Sequence, residues 1–383
     1  MKKNTTKKYN IMDLFAGVGG LSYGFAALPE FDIIAANEIE KDIAAAYSLN
    51  HPHVKMLNCD IAELDAQTLS KALAGRHIDL VVGGPPCQSY STLGKRRMDD
   101  RANLFMEYKR ILEILKPSAF VYENVTGLLS MDKGRLFKQV RTEFEELGYS
   151  LKYAVLDAVD YGAPQHRERV ILVGFRGENN FDYPAPTHGE PASGRSDCGE
   201  PDSGLSLKPY VTLRDALGDL PALKSGQTKD YYEREAYNDF LKFVRQNSSL
   251  DAAGGPLTEH TSPKNGQHLI RIMEALKDGQ SKNDLPEEIR PKSGYGNTYA
   301  KLWWDRPSTT ITRNFACPSS SRCIHPRDSR AMSIREGARL QSFPDDYEFY
   351  GSDSMKRLEI GNAVPPLLSV AIAKQMLKAL KEF

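Results

Sequence analysis

Residues 80–91 read LVVGGPPCQSYS: an apolar run, two glycines, two prolines, then a cysteine among polar residues. The run DLVVGG is a buried strand with a forced exit, because glycine permits a sharp turn and Pro85–Pro86 cannot continue a hydrogen-bonded ladder. Cys87 therefore stands on a stiff loop just past a strand's C-terminal end. In open parallel sheets that is where ligands bind. A cysteine can equally serve as a small buried hydrophobe. The stiff loop and the polar Gln88, Ser89 and Ser91 favour a presented nucleophile.

The same grammar extends to both sides. Ahead of this strand come the strands YNIMDLF, FDIIAANE and VKMLNCDI, separated by the helical segments LSYGFAAL, EKDIAAAYSLN and AQTLSKALAG. Behind it, NLFMEYKRILEILK carries apolar residues at 104, 105, 108, 111, 112 and 115, a helical spacing. SAFVYENV is a fifth strand, GRLFKQVRTEFEELG a helix, and YSLKYAVLDAVDYG and RVILVGF two further strands. Strands alternating with helices of about 10–15 residues predict a parallel or mixed doubly wound α/β sheet.

From 177 the texture changes to Pro, Gly, Ser and Asp in GENNFDYPAPTHGEPASGRSDCGEPDSGLSLKP, a loop or linker. Short strands such as STTITRNF and aromatic clusters such as KLWWD follow. The reading is of two domains. The first spans 1–176 and is completed by the amphipathic C-terminal helix within 357–383. The second, smaller and loop-rich, spans 177–356.

Composition narrows the class without naming it. With 40% hydrophobic and 26% charged residues among 383, the chain is globular in character, and 50 basic against 50 acidic residues give no net charge. Nucleic-acid binding requires a local basic surface and not a basic total, so neutrality excludes nothing there. No uninterrupted apolar segment approaches the roughly 20 residues of a membrane span. Cys59, Cys87, Cys198, Cys317 and Cys323 are odd in number and scattered, which argues against a disulfide framework and for a reducing cytoplasm. CPSSSRCIH at 317–325 lacks a second half at zinc-site spacing, so no metal is expected.

DLFAGVGG at 13–20 puts Gly17, Gly19 and Gly20 between the first strand and the first helix, where backbone amides can approach a ligand. The spacing is not G-x-G-x-x-G, and no lysine follows to neutralise phosphate. Glu38 and Asp60 end the second and third strands, placed for ribose hydroxyls and an adenine amino group. Either alone reads more readily as a helix cap or surface charge. Together they outline a nucleoside with a zwitterionic tail, as in S-adenosylmethionine. Glu123 ends the fifth strand beside the one leading to Cys87, and its pKa would rise unless it is paired. Arg167 and Arg169, two apart in QHRER, share one face of an extended segment.

DLFAGVGG, NE at 37–38, GGPPCQS at 83–89, ENV at 123–125, QHRER at 165–169, REGARLQSFPD at 335–345 and GNAVPP at 361–366 occur in one order. In this the sequence closely resembles the DNA (cytosine-5)-methyltransferase family over nearly all its length except roughly 177–290. The resemblance implies a Rossmann-like methyltransferase sheet and a target-recognition domain. It implies Cys87 as the nucleophile attacking C6 of cytosine, Glu123 on the N3 edge, and Arg169 with Arg167 toward O2. It assigns cofactor contacts to Phe15, Gly17, Gly19, Glu38, Asp60, Ile61, Pro85, Leu104 and Asn362. SYSTLGKRRMDDRANLF at 89–105 is placed like the family's mobile loop. Gln88, Lys95, Arg96 and Arg97 would then meet DNA, and Leu93 would fill the stack vacated by a flipped base. Thr310 and Arg313, in the recognition region, complete the expected DNA contacts.

Further expectations follow from that resemblance. The partner is double-stranded DNA, with a cognate restriction endonuclease acting separately and no membrane. The architecture is that of a bacterial enzyme, monomeric, cytoplasmic and nucleoid-associated. Two alternatives stay open: a tRNA cytosine-5 methyltransferase, against which the long recognition region and the missing Cys-Phe-Thr element count, and a catalytically silent DNA-binding regulator, which would not need Cys87, Glu123 and Arg169.

Overall fold

In the computed structural model the residues described are 8–86, 104–190, 207–246, 252–292 and 294–383. Seven strands form one sheet: β1 (Tyr9–Leu14), β2 (Phe31–Asn37), β3 (Lys55–Leu57), β4 (Leu80–Gly83), β5 (Ala119–Val125), β6 (Ser150–Asp157) and β7 (Glu168–Phe175). Their order is β3-β2-β1-β4-β5-β7-β6. The first five run parallel, while β7 is antiparallel to both β5 and β6. The helices α1 (Gly20–Ala26), α2 (Lys41–Asn50), α3 (Ala66–Ala72), α4 (Leu104–Leu115), α5 (Gly127–Ser130) and α6 (Arg135–Glu146) connect them. This is the doubly wound α/β fold. Strand β4 is apolar and fully buried, and β1, apolar apart from Asn10 and Asp13, is buried at every position but Asn10, as parallel central strands must be.

The chain divides into two compact units. The first comprises Met1–Asp157, Glu168–Ala185 and Leu368–Phe383, and the second Ala158–Arg167 and Pro186–Leu367. The first unit's core is aromatic and aliphatic: Tyr108, Phe120, Tyr122, Phe144 and Tyr149 pack ring against ring beneath Val81, Ile111 and Val140. Its C-terminal segment lies in α12 (Pro366–Glu382), where Ser369 Oγ accepts from the Gly24 amide at 3.0 Å and the Leu380 carbonyl from Tyr9 at 2.9 Å. A β-carbon on Gly24 would collide with the Ser369 backbone, which explains glycine there. By length and composition Asp353–Glu382 is apolar enough to cross a membrane. Its Leu368, Ile372, Ala373 and Met376 are fully buried within the fold, the mark of a core helix.

The second unit, comparable in length, is built from short elements: β8 (His188–Gly189), β9 (Lys208–Pro209), α7 (Leu213–Leu217), α8 (Asp239–Val244), α9 (Gln267–Ala275), β10 (Ala300–Lys301), β11 (Arg322–Ile324), α10 (Ile334–Leu340) and α11 (Asp353–Asn362). The strand expected over STTITRNF does not form. Ser308 makes an isolated bridge to Gln165, the Ile311 amide is taken by the Gln165 side chain at 2.9 Å, and Phe315 turns back onto Thr312. Side-chain capture of the backbone thus replaces a ladder.

Candidate active site

The first cluster lies where β1, β2 and β3 end. Phe15 leaves β1 with φ +54, a conformation costly for a non-glycine residue and frequent at ligand sites. Gly17 follows at φ +57, and a β-carbon there would meet nothing within 4 Å. Its glycine is required by the backbone turn, and no described residue fills the space in front. The Gly17 amide donates to Glu38 Oε2 at 3.0 Å and the Glu40 amide to Glu38 Oε1 at 2.9 Å. Burial raises the Glu38 pKa, against the pull of these amides. Asp60 caps the turn Ile61–Glu63 through the Ala62 amide at 2.9 Å and remains exposed, while Ile61 is buried. Arg110 on α4 locks that turn by donating to the carbonyls of Ile61 (2.8 Å) and Leu64 (2.7 Å). Leu104, half-buried, begins α4, and it and Phe15 both pack on the first unit's apolar core.

The second cluster is the exit from β4. A β-carbon on Gly83 would run into the Leu14 carbonyl, and one on Gly84 into the Glu123 carboxylate. The Asn124 side chain donates to the Pro85 carbonyl at 3.0 Å, fixing the two prolines to β5. Glu123 lies opposite Ile171, so Arg169 is its diagonal neighbour across the antiparallel pair, and Arg169 Nε reaches Glu123 Oε1 at 2.8 Å. Glu123 is therefore paired. Its side chain and that of Arg169 are 14% and 11% exposed, low enough for the pair to be strong and open enough for a ligand edge to reach it.

In the second unit Arg167 is buried and donates to the carbonyls of Ile311 and Gly361, both at 2.8 Å. Gln165 bridges the Leu340 carbonyl and Gln341 at 2.7 Å each, and Thr310 Oγ1 donates to the His166 carbonyl at 2.8 Å. The QHRER segment thus splits. Arg167 works as a scaffold bolt in the second unit, and Arg169 pairs with Glu123 in the first. Arg313 and Asn362, also in the second unit, are exposed. Cys87, Gln88, Leu93, Lys95, Arg96 and Arg97 lie outside the described residues.

Several polar residues that the sequence reading passed over build this site. Asn37 donates to the carbonyls of Leu57 and Cys59 and Asn58 to those of Glu38 and Ile39, tying β2 to β3. Asp13, fully buried, accepts from Ser22, which is 2.8 Å from the Tyr47 hydroxyl. Burial lifts the Asp13 carboxyl to about 7, with Ser22 opposing and Glu38 adding to the rise. For Asp13, Asn37 and Asn58 the available signal was position, a polar residue at or just past the end of a strand; Ser22 and Tyr47 lie within helices and carried no such signal.

The carboxylates of Glu38 and Asp60 beside the glycine turn suit a nucleoside bearing positive charge better than a pyrophosphate. With this sheet order, that defines a Rossmann-like methyltransferase that uses S-adenosylmethionine. The pattern of the C-5 cytosine-specific DNA methylases matches residues 9–378. Similar proteins include the type II methyltransferase M1.HphI of Haemophilus parahaemolyticus, 33% identical over 96% of this chain and 86% of its own. M.AgeI of Thalassovita gelatinovora is 33% identical over 95% and 98%. Among solved structures, a protein of an E. coli prophage described as a DNA modification methyltransferase superposes with a TM-score of 0.75 at 24% identity, covering 98% of this chain and 100% of its own. The S. pombe Dnmt2 methyltransferase gives 0.58 at 18%, covering 98% and 100%. These two show the shared fold. The chain belongs to the C-5 cytosine-specific DNA methylase family: it is a DNA (cytosine-5)-methyltransferase with S-adenosylmethionine as methyl donor.

Proposed function

We propose that this enzyme is the modification half of a bacterial type II restriction-modification system, methylating one cytosine in a short fixed duplex sequence through a covalent bond to Cys87. The observation that carries the mechanism is the Glu123–Arg169 pair beside the Gly84–Pro85 exit, one residue beyond Pro86 along the chain from Cys87. The Cys87 thiolate adds to C6 of a flipped cytosine, while Glu123 holds N3 and supplies it a proton, so electron density gathers at C5. Arg169 orients Glu123 and meets the O2 edge; Arg167 braces the recognition unit. S-adenosylmethionine supplies the methyl group that C5 takes. A solvent base then takes the C5 proton, and its bonding electron pair re-forms the C5–C6 double bond and expels Cys87 as thiolate. N3 returns its proton to Glu123, leaving 5-methylcytosine.

Phe15, Gly17, Gly19, Glu38, Asp60, Ile61, Pro85, Leu104 and Asn362 hold the cofactor in this reading. Glu38 is the firmest, because backbone amides already fix both of its oxygens. Gln88, Leu93, Lys95, Arg96, Arg97, Thr310 and Arg313 contact DNA, and the second unit reads the target. The enzyme acts as a cytoplasmic, nucleoid-associated monomer, with any cognate endonuclease acting separately. Bisulfite sequencing of DNA from methylation-free cells expressing the chain tests this. Methylcytosine in one fixed context, absent with Cys87→Ala, is expected. Unmodified DNA from soluble, cofactor-binding protein would overturn the reading.

A further inference from the structure

A cavity of about 300 Å³ lies within the second unit, against the start of α9. Leu269, Ile272, Pro291, Tyr299 and Pro318 give it apolar walls, and no acidic residue lines it. Three polar features converge there. The first is Cys317, exposed, with Sγ 3.3 Å from the Ser319 hydroxyl and 3.4 Å from that of Ser320. The turn that presents it is well tied. The Cys317 amide donates to the Asn314 carbonyl at 2.8 Å, and the Ser320 amide to the Cys317 carbonyl at 3.0 Å. Partial burial pushes the thiol up, but the hydroxyls and amides of the two serines outweigh it and bring Cys317 below the ordinary thiol range. Cys323, wholly buried, is instead pushed up to about 12, and burial raises Cys59 too.

The second feature is Asn265, whose Oδ1 is enclosed at the cavity wall and takes no hydrogen bond from any described residue. An enclosed acceptor left unpaired is unfavourable until a donor reaches it. The third is the N-terminus of α9, where Gly266 supplies no side-chain cap and His268 lines the wall, a setting that favours a carboxylate. A nucleophilic sulfur, an acceptor in want of an N–H and a helix start in want of an anion together complement the disulfide of a small amino-acid or peptide thiol. We propose that Cys317 is a modification site that takes such a thiol as a mixed disulfide, with the body of the adduct in the cavity. The Cys317 thiolate attacks one sulfur of the incoming disulfide. The new S–S bond forms as the old one breaks, and the second sulfur leaves as a thiolate that takes up a proton. The incoming disulfide is itself the oxidant.

Recognition by the cavity separates a site from a thiol that is merely exposed, and two reagents test it. The full chain, freshly reduced, is treated with glutathione disulfide and, separately, with dithiodipyridine, a disulfide with neither carboxylate nor amide. Peptide mass mapping follows each cysteine with time. Glutathione should reach Cys317 at least about tenfold faster than Cys59 or Cys323, and dithiothreitol should remove it. Asn265→Ala should slow that reaction about fivefold while leaving the dithiodipyridine rate at Cys317 within about twofold of wild type. Asn265→Asp is isosteric and sets a carboxylate against the incoming one. It should slow glutathione at least as much, and it decides the matter if the alanine variant does not fold. Cys317 modified no faster than Cys59 would overturn the site. Equal slowing of both reagents, or no slowing in either variant, would do the same by reducing Cys317 to an exposed thiol. So would an internal Cys317–Cys323 disulfide forming in place of the adduct.

Discussion

The two units solve the same problem, filling an interior, with opposite chemistry. Beneath the sheet of the first, the buried cluster is apolar and aromatic. The second buries Arg245, Arg330, Arg335 and Arg339 completely. Arg339 forks between Asp219 and Asp345, Arg245 reaches the same Asp219 at 2.9 Å, and Arg330 holds Glu336 at 2.6 Å. Every residue of α10 is buried, charged ones included. Short loops offer little regular backbone to fill a core, and arginines satisfy carbonyls and carboxylates that strands and helices would otherwise pair with each other. Such a core is intolerant of losing one member, because the charge left behind is buried without a partner.

The largest expected effect follows. Arg339→Ala leaves the buried Asp219 to Arg245 alone and Asp345 to Arg335 and Tyr232, and should cost on the order of 3–5 kcal/mol. Both tryptophans, Trp303 and Trp304, lie in the second unit, half-buried, so their fluorescence reads its denaturation midpoint. A loss below about 1 kcal/mol would mean that the network is ornamental and the contrast between units mistaken.

Titration gives a second handle, because Asp13 and His325 shift stability in opposite directions with pH. His51 in the first unit, also lowered by burial to about 4, acts in the same direction as His325. Asp13 in the first unit is raised from 3.8 to about 7. The native state then binds more protons than the unfolded between those values, so its contribution falls as pH rises from about 4 to 7. The span is about three units, or about 4 kcal/mol. Asp13→Asn should remove that slope and gain stability at pH 8. In the second unit His325, facing Glu336, Asp328, Arg330 and Arg327, is lowered by burial from 6.5 to about 4. The unfolded state protonates first as pH falls, so stability drops through 6.5 to 4 by about 3 kcal/mol. Chemical denaturation across pH 4–8, with His325→Gln as the second control, checks both; parallel slopes for the two wild-type contributions would refute the assignment.

How legible each unit is in sequence follows from the same chemistry. Periodic apolar residues announce elements that bury them, so the strands and helices around Val81, Tyr108 and Phe120 could be read directly. STTITRNF has the β-branched composition of a strand, yet Gln165 captures its backbone. Nothing local reports a partner 146 residues away. Glu38, Asp60 and Glu123 were visible as carboxylates ending apolar strands. Asp13 was equally visible and overlooked, since the motif around it drew attention to the glycines. The division of labour between Arg167 and Arg169 was not readable, because two-residue spacing sets a face and not a destination.

A smaller effect tests the glycine exit of the first unit. Gly84→Ala drives a β-carbon into the Glu123 carboxylate. Overpacking of this kind costs about 1–3 kcal/mol, but the sharper readout is turnover. Displacing Glu123 from Arg169 should lower kcat by at least tenfold in a tritiated-methyl transfer assay. Retention of full kcat would show that the Glu123–Arg169 geometry is not needed for the reaction.

The smallest expected effect isolates what makes the second unit's ion pairs matter. Lys208 and Asp239 approach to 2.7 Å, as close as Arg245 and Asp219, yet their side chains are 62% and 80% exposed where the other pair is fully buried. Water screens the first pair and side-chain entropy offsets what remains. In the second, neither partner can return to solvent alone. Lys208→Ala should leave the tryptophan-monitored midpoint unresolved from wild type at low and high salt, while Arg245→Ala moves it by several degrees. Equal shifts from the two substitutions would mean that distance, and not burial, governs these pairs, and the contrast between the two interiors would lose its physical basis.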